Sequence, residues 1–307
     1  MTDIQKLTIM EIKQSMKRIM ITGASGQLGL ALYRLLKDNQ EYELLRTDAS
    51  ASQDEAVAAL DITGEAAVNA YMEEKKPDII INCAAMTAVD LCESEQEKAY
   101  RINALGPKNL ALAAEKAGIR LVHISTDYVF DGQAAVPYTE DALPNPVSVY
   151  GKTKQAGDEF VQKFCRRYFI LRTAWVYGEG KNFVRTMLRL AENNSKIRVV
   201  SDQFGTPTST LELARVIIFL METESYGIYH ATCEGSTSWY EFAVEIFKEA
   251  GKSVEVEAIP ASEYTAPAKR PMYSVLENKA LYERHGYVMK DWKDALKEYM
   301  EDIKSGR

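Results

Sequence analysis

Up to Trp175 the chain alternates short, nearly unbroken apolar runs with longer segments whose apolar residues recur every three or four positions. The runs predict strands over 18–22, 42–47, 78–83, 120–125 and 168–172, with Pro77 punctuating the entry to the third. The periodic segments predict helices over 27–38, 66–75, 95–118 and 149–166, the third open to a break at Gly106-Pro107. Such alternation is the mark of a parallel sheet with helical crossovers. Beyond Trp175 the rhythm becomes irregular, with helices over 183–193, 210–222, 238–250 and 292–303 and a strand over 197–200. Repeats, low-complexity tracts and Pro/Ser-rich linkers are absent from the sequence.

Composition narrows the class. At 307 residues with 46% hydrophobic and 26% charged positions, the chain is an ordinary globular sequence. A net charge of −7 argues against a nucleic-acid partner, and no apolar run approaches the ~20 residues that span a bilayer. Cys83, Cys92, Cys165 and Cys233 show no paired spacing, so reduced thiols and a cytoplasmic location are expected. His123, His230 and His285 are scattered and form no metal motif, and His123, inside an apolar run, reads as structural. Residues 1–15 lack the apolar core of a signal peptide and read as an N-terminal extension, because Met16-Lys17-Arg18-Ile19 looks like a natural start. An amphipathic docking helix on Ile4, Leu7 and Ile12 is the alternative.

Chemistry enters at two places. Gly23-Ala24-Ser25-Gly26-Gln27-Leu28-Gly29 follows the first strand and opens the first helix, the context that makes a glycine-rich turn a dinucleotide site. Gly23 serves the tight turn, Gly26 the approach of pyrophosphate and Gly29 close helix–sheet packing, while the helix N-terminus offers amides to phosphate. Asp48 ends the second strand where an acid accepts from ribose hydroxyls, which favours NADH; Arg46, two residues earlier, keeps NADPH open. Asp61 and Ile62 are candidates for the adenine edge, or else a cap or loop. The expected fold is therefore α/β: a Rossmann-type doubly wound parallel sheet with a smaller, discontinuous α/β substrate domain. Residues 16–176 with about 208–232 form the first part, and about 177–207 with 233–307 the second.

The other place is Tyr150 and Lys154, one helical turn apart and downstream of Ser125-Thr126. A tyrosine holds its proton to about pH 10, and a neighbouring ammonium is expected to lower that value towards neutrality. Thr126 would hold a carbonyl oxygen beside Tyr150, and Lys154 would also reach the nicotinamide ribose. Joined to a dinucleotide turn, the pair implies hydride transfer to or from a carbonyl or alcohol.

These residues match the extended short-chain dehydrogenase/reductase superfamily. From Lys17 onward the chain resembles its dTDP-4-dehydrorhamnose reductase family in five blocks: 81–90 (INCAAMTAVD), 125–132 (STDYVFDG), 171–178 (LRTAWVYG), 202–208 (DQFGTPT) and 269–271 (KRP). The resemblance implies Thr126, Tyr150 and Lys154 as catalytic trio, reduction of the C4 keto group of dTDP-4-dehydro-L-rhamnose, and Cys83, Ala84 and Ala85 along the cofactor. It implies Asp127, Tyr128, Trp175 and Asn182 around the sugar and Arg270 facing the diphosphate; core packing is the alternative for Trp175 and a surface ion pair for Arg270. Asn103 matches the superfamily's helix asparagine, read here as supporting. A homodimer and a magnesium ion come by resemblance alone.

Three rivals share the scaffold. Sugar-nucleotide 4,6-dehydratases carry Thr-Asp-Glu where this chain has Thr126-Asp127-Tyr128, so the base for elimination is missing. An epimerase or another nucleotide-sugar reductase stays open. A non-catalytic regulatory subunit, like the methionine adenosyltransferase beta subunit, would not need the intact Thr126/Tyr150/Lys154 set.

Overall fold

The computed structural model describes residues 16–50 and 54–306; the expectations for 1–15, including the docking helix, fall outside them. The chain begins with β1 (Lys17–Thr22), α1 (Gln27–Leu36), β2 (Tyr42–Asp48), β3 (Val57–Ala59), α2 (Glu65–Lys75) and β4 (Ile79–Asn82). Two short helices, α3 (Val89–Ser94) and α4 (Gln96–Tyr100), lead through a wide π-type turn, Arg101–Leu105, into α5 (Gly106–Ala117). Then come β5 (Arg120–Thr126), α6 (Val149–Phe164) and β6 (Tyr168–Thr173).

The irregular second half contains β7 (Val176–Tyr177), α7 (Phe183–Leu190), β8 (Lys196–Val200), β9 (Phe204–Gly205), β10 (Thr208–Ser209) and α8 (Thr210–Met221). It continues with β11 (Gly227–His230), β12 (Thr237–Ser238), α9 (Trp239–Ala250), β13 (Glu255–Ile259), α10 (Lys279–His285) and α11 (Trp292–Ser305).

Seven parallel strands form the central sheet in the order β3-β2-β1-β4-β5-β6-β11. The chain runs outward from β1 to β3, then crosses back to β4, so strand order reverses between β1 and β4. Ligands of open α/β sheets bind at such a reversal, beyond the carboxyl ends of the strands. Both faces of the sheet are covered. Ile19, Ile21, Ile79, Ile81 and Val122 pack with α1 and α8, while Met20, Ile80, Leu121 and Ile170 pack with α2, α5 and α6. A separate apolar core gathers α7, α9, α11 and β8 around Tyr177, Phe242, Trp292 and Leu296.

The expected break at Gly106-Pro107 lies one turn earlier. Pro107 has no N–H for a carbonyl one turn back, so the irregular turn falls at 101–105 and regular helix resumes at Gly106. Asn103 fills that turn, fully buried. Its side chain accepts from Met86 N (2.8 Å) and donates to Met86 O and the Thr153 hydroxyl. It therefore ties the exit of β4 to α6, a supporting role.

Candidate functional site

The glycine-rich turn forms where β1 and β4 leave the sheet. Gly23 has φ +63°, and a Cβ there would stand 2.7 Å from Ala84 N. Only glycine lets these two strand exits touch. A groove of about 520 Å³ opens on one side, lined by Gly23, Gly26, Asp48, Asp61, Ile62, Cys83, Ala84 and Ala85. It continues past Gly23, Gly26, Cys83 and Ala85 into a second cavity of about 460 Å³. That cavity also holds Gln27, Leu28, Gly29, Thr126, Asp127, Tyr128, Tyr150, Lys154, Trp175 and Asn182. Ala24 and Ser25 are the turn residues outside the lining; the Ser25 N–H donates to Asp48 Oδ2 at 3.1 Å.

At the first end the Asp48 carboxylate also accepts from its neighbour Ala49 N, 2.8 Å away. Arg46 does not enter the groove: it is buried, ion-paired with Asp54 at 2.8 Å and stacked on Tyr33. Asp61 accepts from Thr63 N at 2.9 Å, closing a turn while lining the groove. Lys98, Arg101 and Thr63 line the same end; sequence reasoning missed them because they come from a five-residue helix, the irregular turn and a loop, where no periodicity points inward.

At the other end Thr126 finishes β5, and its hydroxyl accepts from Tyr128 N at 3.2 Å, starting a one-turn 3-10 helix. Ser148 caps α6 by accepting from Gly151 N at 3.1 Å, which sets Tyr150 in the first turn. A Cβ on Gly151 would lie 2.1 Å from Tyr128 O, so the Tyr-Gly pair lets the helix press against that turn. The Tyr128 and Tyr150 rings meet edge to face, 5.5 Å apart. Lys154 Nζ donates to Ile124 O at 2.6 Å.

The electrostatics correct one expectation. Burial pushes the Tyr150 phenol above its ordinary value, opposed by the Thr126 hydroxyl, so the ammonium does not bring it towards neutrality. Burial outweighs the neighbouring charge because the charged form loses its water. For Lys154 burial works downward, to about 8, against the raising influence of Asp158. Burial lifts the Asp127 carboxyl to about 6 and the Cys83 thiol to about 12.

Two residues expected around the substrate also have protein partners. Arg270 is absent from the lining of both cavities, and its guanidinium pairs with Asp90 at 2.9 Å. Asn182 lines the cavity, but its side chain caps α7 and donates to Gln27 Oε1 (3.1 Å) and Gly178 O (2.6 Å). It thereby joins the glycine-rich turn to the second core. Trp175 faces the cavity and stacks on Trp239, a wall residue that sequence reading missed. Thr87, Val89, Thr173 and Lys181 are among the further lining residues that were not foreseen.

Among the described residues no group of three or more His, Cys, Asp or Glu side chains is placed to hold a metal. None of the described helices is long and apolar enough to cross a membrane.

A family model described as RmlD substrate binding domain matches residues 16–305. A dTDP-4-dehydrorhamnose reductase from Aggregatibacter actinomycetemcomitans is 43% identical over 295 residues, covering 92% of this chain and 98% of the relative. The crystal structure of a dTDP-4-dehydrorhamnose reductase from Clostridium acetobutylicum superposes with a TM-score of 0.89 at 50% identity, covering 94% of this chain and 99% of that one. Another from Bacillus anthracis, in complex with NADP, gives a TM-score of 0.89 at 41% identity with the same coverage.

Proposed function

The chain belongs to the RmlD substrate binding domain family, and from that membership and the groove we propose that it reduces the C4 keto group of dTDP-4-dehydro-L-rhamnose to give dTDP-L-rhamnose, the last step of dTDP-rhamnose synthesis. The observation that carries the reading is that Thr126, Tyr150 and Lys154 share one cavity with the glycine-rich turn and Trp175.

The residues fit a dinucleotide. Gly23 and Gly26 leave a cradle that side chains would fill, and the N-terminus of α1 opens onto it. Gly23 to Gly29 would hold the pyrophosphate, Asp48 the adenosine ribose, Asp61 and Ile62 the adenine edge, and Cys83 to Ala85 the middle of the groove. When bound, the reduced nicotinamide supplies the hydride. Thr126 and Tyr150 hold the substrate carbonyl oxygen, and Tyr150 gives it a proton as the alkoxide develops. A phenol raised by burial remains protonated at neutral pH, the state an acid in the reducing direction requires. Lys154 stabilises the phenolate left behind. Tyr128 and Trp175 form the sugar wall, and Asp127 lies beneath it.

NADH is the preferred cofactor in this reading, because Asp48 stands where a 2′-phosphate would meet a like charge and Arg46 is engaged elsewhere. No group of three or more His, Cys, Asp or Glu side chains among the described residues is placed to hold magnesium. Residues 16–176 with 208–232 serve the cofactor, and 177–207 with 233–307 the sugar. The division is supported by α8 and β11 burying into the sheet while α7, α9 and α11 share their own core. The enzyme acts in the cytoplasm, as a homodimer; light scattering tests the latter.

The test is the loss of reduced-nicotinamide absorbance on adding dTDP-4-dehydro-L-rhamnose, with product identified by mass and NMR. Substrate-dependent oxidation yielding dTDP-L-rhamnose is expected. A folded, cofactor-binding protein that oxidises neither NADH nor NADPH would overturn the reading.

A further inference from the structure

Behind the catalytic helix lies a buried polar chain that the reaction as derived does not use. Asp158 follows Lys154 by four residues on α6, so the two side chains share a face. His123 and Ser125 alternate on β5 and both turn towards that face. The Ser125 hydroxyl donates to Asp158 Oδ2 at 2.9 Å, and Arg172 from β6 brings its Nε to 3.4 Å from the same oxygen. Asp158, His123 and Arg172 are almost wholly excluded from solvent.

The remaining oxygen of Asp158 has a designed neighbour. Thr22, the last residue of β1, donates its hydroxyl to Asn82 Oδ1 at 2.7 Å, which turns the Asn82 amide nitrogen towards His123 Nδ1, 3.0 Å away. Nδ1 is then an acceptor, so the imidazole proton sits on Nε2. That atom lies 3.6 Å from Asp158 Oδ1, and neither atom has a hydrogen-bond partner among the described residues. Burial and the Lys154 charge keep His123 uncharged. The carboxylate is thus held by a hydroxyl, a guanidinium and an oriented N–H dipole, and it presents its charge to Lys154.

Lys154 needs that charge. Its ammonium is buried and, among the described residues, hydrogen-bonds one acceptor, the neutral Ile124 carbonyl. The ionisable groups acting on Lys154 and Tyr150 are Asp158 on α6 itself, Cys83 after β4, His123 on β5, Asp127 after it and Cys92 on α3; Arg172 on β6 acts on Asp158. Cys83 and Cys92 are thiols raised by burial, and His123 is neutral. Burial raises the Asp158 carboxyl, while Arg172, Lys154 and the Ser125 hydroxyl draw it back down and favour its charged form, so Asp158 is the anion next to Lys154 on its own helix face.

We infer that Asp158, oriented by His123 and Ser125, is a positioning residue that keeps Lys154 charged and aimed at the phenol during reduction. The inference rests on the functional reading above for its kinetic consequence, but not for its electrostatic one.

Removing the anion by Asp158→Asn leaves shape and the Ser125 hydrogen bond while letting Lys154 lose its proton at lower pH. The Tyr150 pKa moves the same way, since Asp158 also raises it. The alkaline limb of the kcat profile should therefore move down by about one to three pH units, the usual range for loss of a nearby opposite charge. Asp158→Glu should restore most of it. A 13C NMR titration of the Lys154 Cε resonance, assigned by Lys154→Met, should show the same fall in protein without substrate. If wild-type protein shows no keto-sugar turnover, the functional reading fails and the titration still decides this inference. Should Asp158→Asn not fold, Ser125→Ala reads the same sign: without that hydroxyl the Asp158 carboxyl is harder to ionise, and the Lys154 titration should fall. A variant that melts at lower temperature yet leaves the Lys154 titration and alkaline limb in place would overturn the proposal.

Discussion

Trp175 lies face to face with Trp239, ring centroids 3.5 Å apart and planes within 8° of parallel, although its backbone must hold φ +46° to put the ring there. A non-glycine residue in that region costs about 1–3 kcal/mol, and an aromatic stack returns about 0.5–1.5. The stack offsets part or all of that strain, and Gly205, whose missing side chain leaves room for the indole, permits the placement.

Gly205→Ala would place a methyl 2.5 Å from Trp175 Cε2 and push the ring into the cavity. The KM for the keto-sugar should rise about tenfold, equivalent to ~1.4 kcal/mol, while cofactor affinity is unchanged. Steady-state kinetics with both substrates varied separates the two; an equal loss for cofactor would contradict the placing of Trp175 at the sugar.

Tyr150→Phe should lower kcat by about 10²–10⁴-fold, the usual worth of a positioned acid, and leave cofactor binding nearly intact by fluorescence titration. Lys154→Met should damage both. Near-normal turnover in Tyr150→Phe would remove the phenol from the mechanism.

Asp48→Asn retains an acceptor for the Ser25 N–H but removes the charge. The ratio of kcat/KM for NADPH over NADH should increase about tenfold (~1.4 kcal/mol). An unchanged ratio would mean that Asp48 does not face the adenosine ribose.

His230 sets an acid limit on stability. Its Nδ1 lies against the carbonyls of Tyr138 (3.0 Å) and Glu277 (3.2 Å), and burial with Arg172 nearby lowers its pKa to about 3. The unfolded chain takes up this proton near 6.5 and the folded chain does not. Stability should therefore fall as pH drops from about 6.5 towards 3, by up to about 1.4 kcal/mol per unit from this residue. Urea melts of wild type and His230→Asn across that window should show a shallower slope in the variant.

What the sequence disclosed follows its physics. Strands buried on both faces, such as Ile79–Asn82, leave continuous apolar runs, and the turn from Gly23 to Gly29 needs glycine for reasons visible in one dimension. Tyr150 and Lys154 announced themselves by helical spacing. The burial around Tyr150 did not, because the residues that dehydrate the phenol arrive from α3, the turn after β5 and the segment that follows β4. For the same reason its pKa moves opposite to the local expectation. Trp239 and Gly205 are joined to Trp175 only through tertiary packing, and β7, β9, β10 and β12 are two-residue strands with no pattern to read. The Asp90 partner of Arg270 is far away in sequence, so that ion pair could not be read in one dimension.

The edge strand β11 bears on how the protein is made. Its partner β6 leaves the ribosome well before residues 227–230 exist, so during synthesis an almost finished sheet waits with one margin unpaired. The apolar face that α8 will cover waits with it. Such a margin is a template for another nascent chain. A truncation that ends after β7 should consequently aggregate rather than form a free-standing dinucleotide-binding module, and the late-emerging α8 and β11 act as the fold's closing clasp.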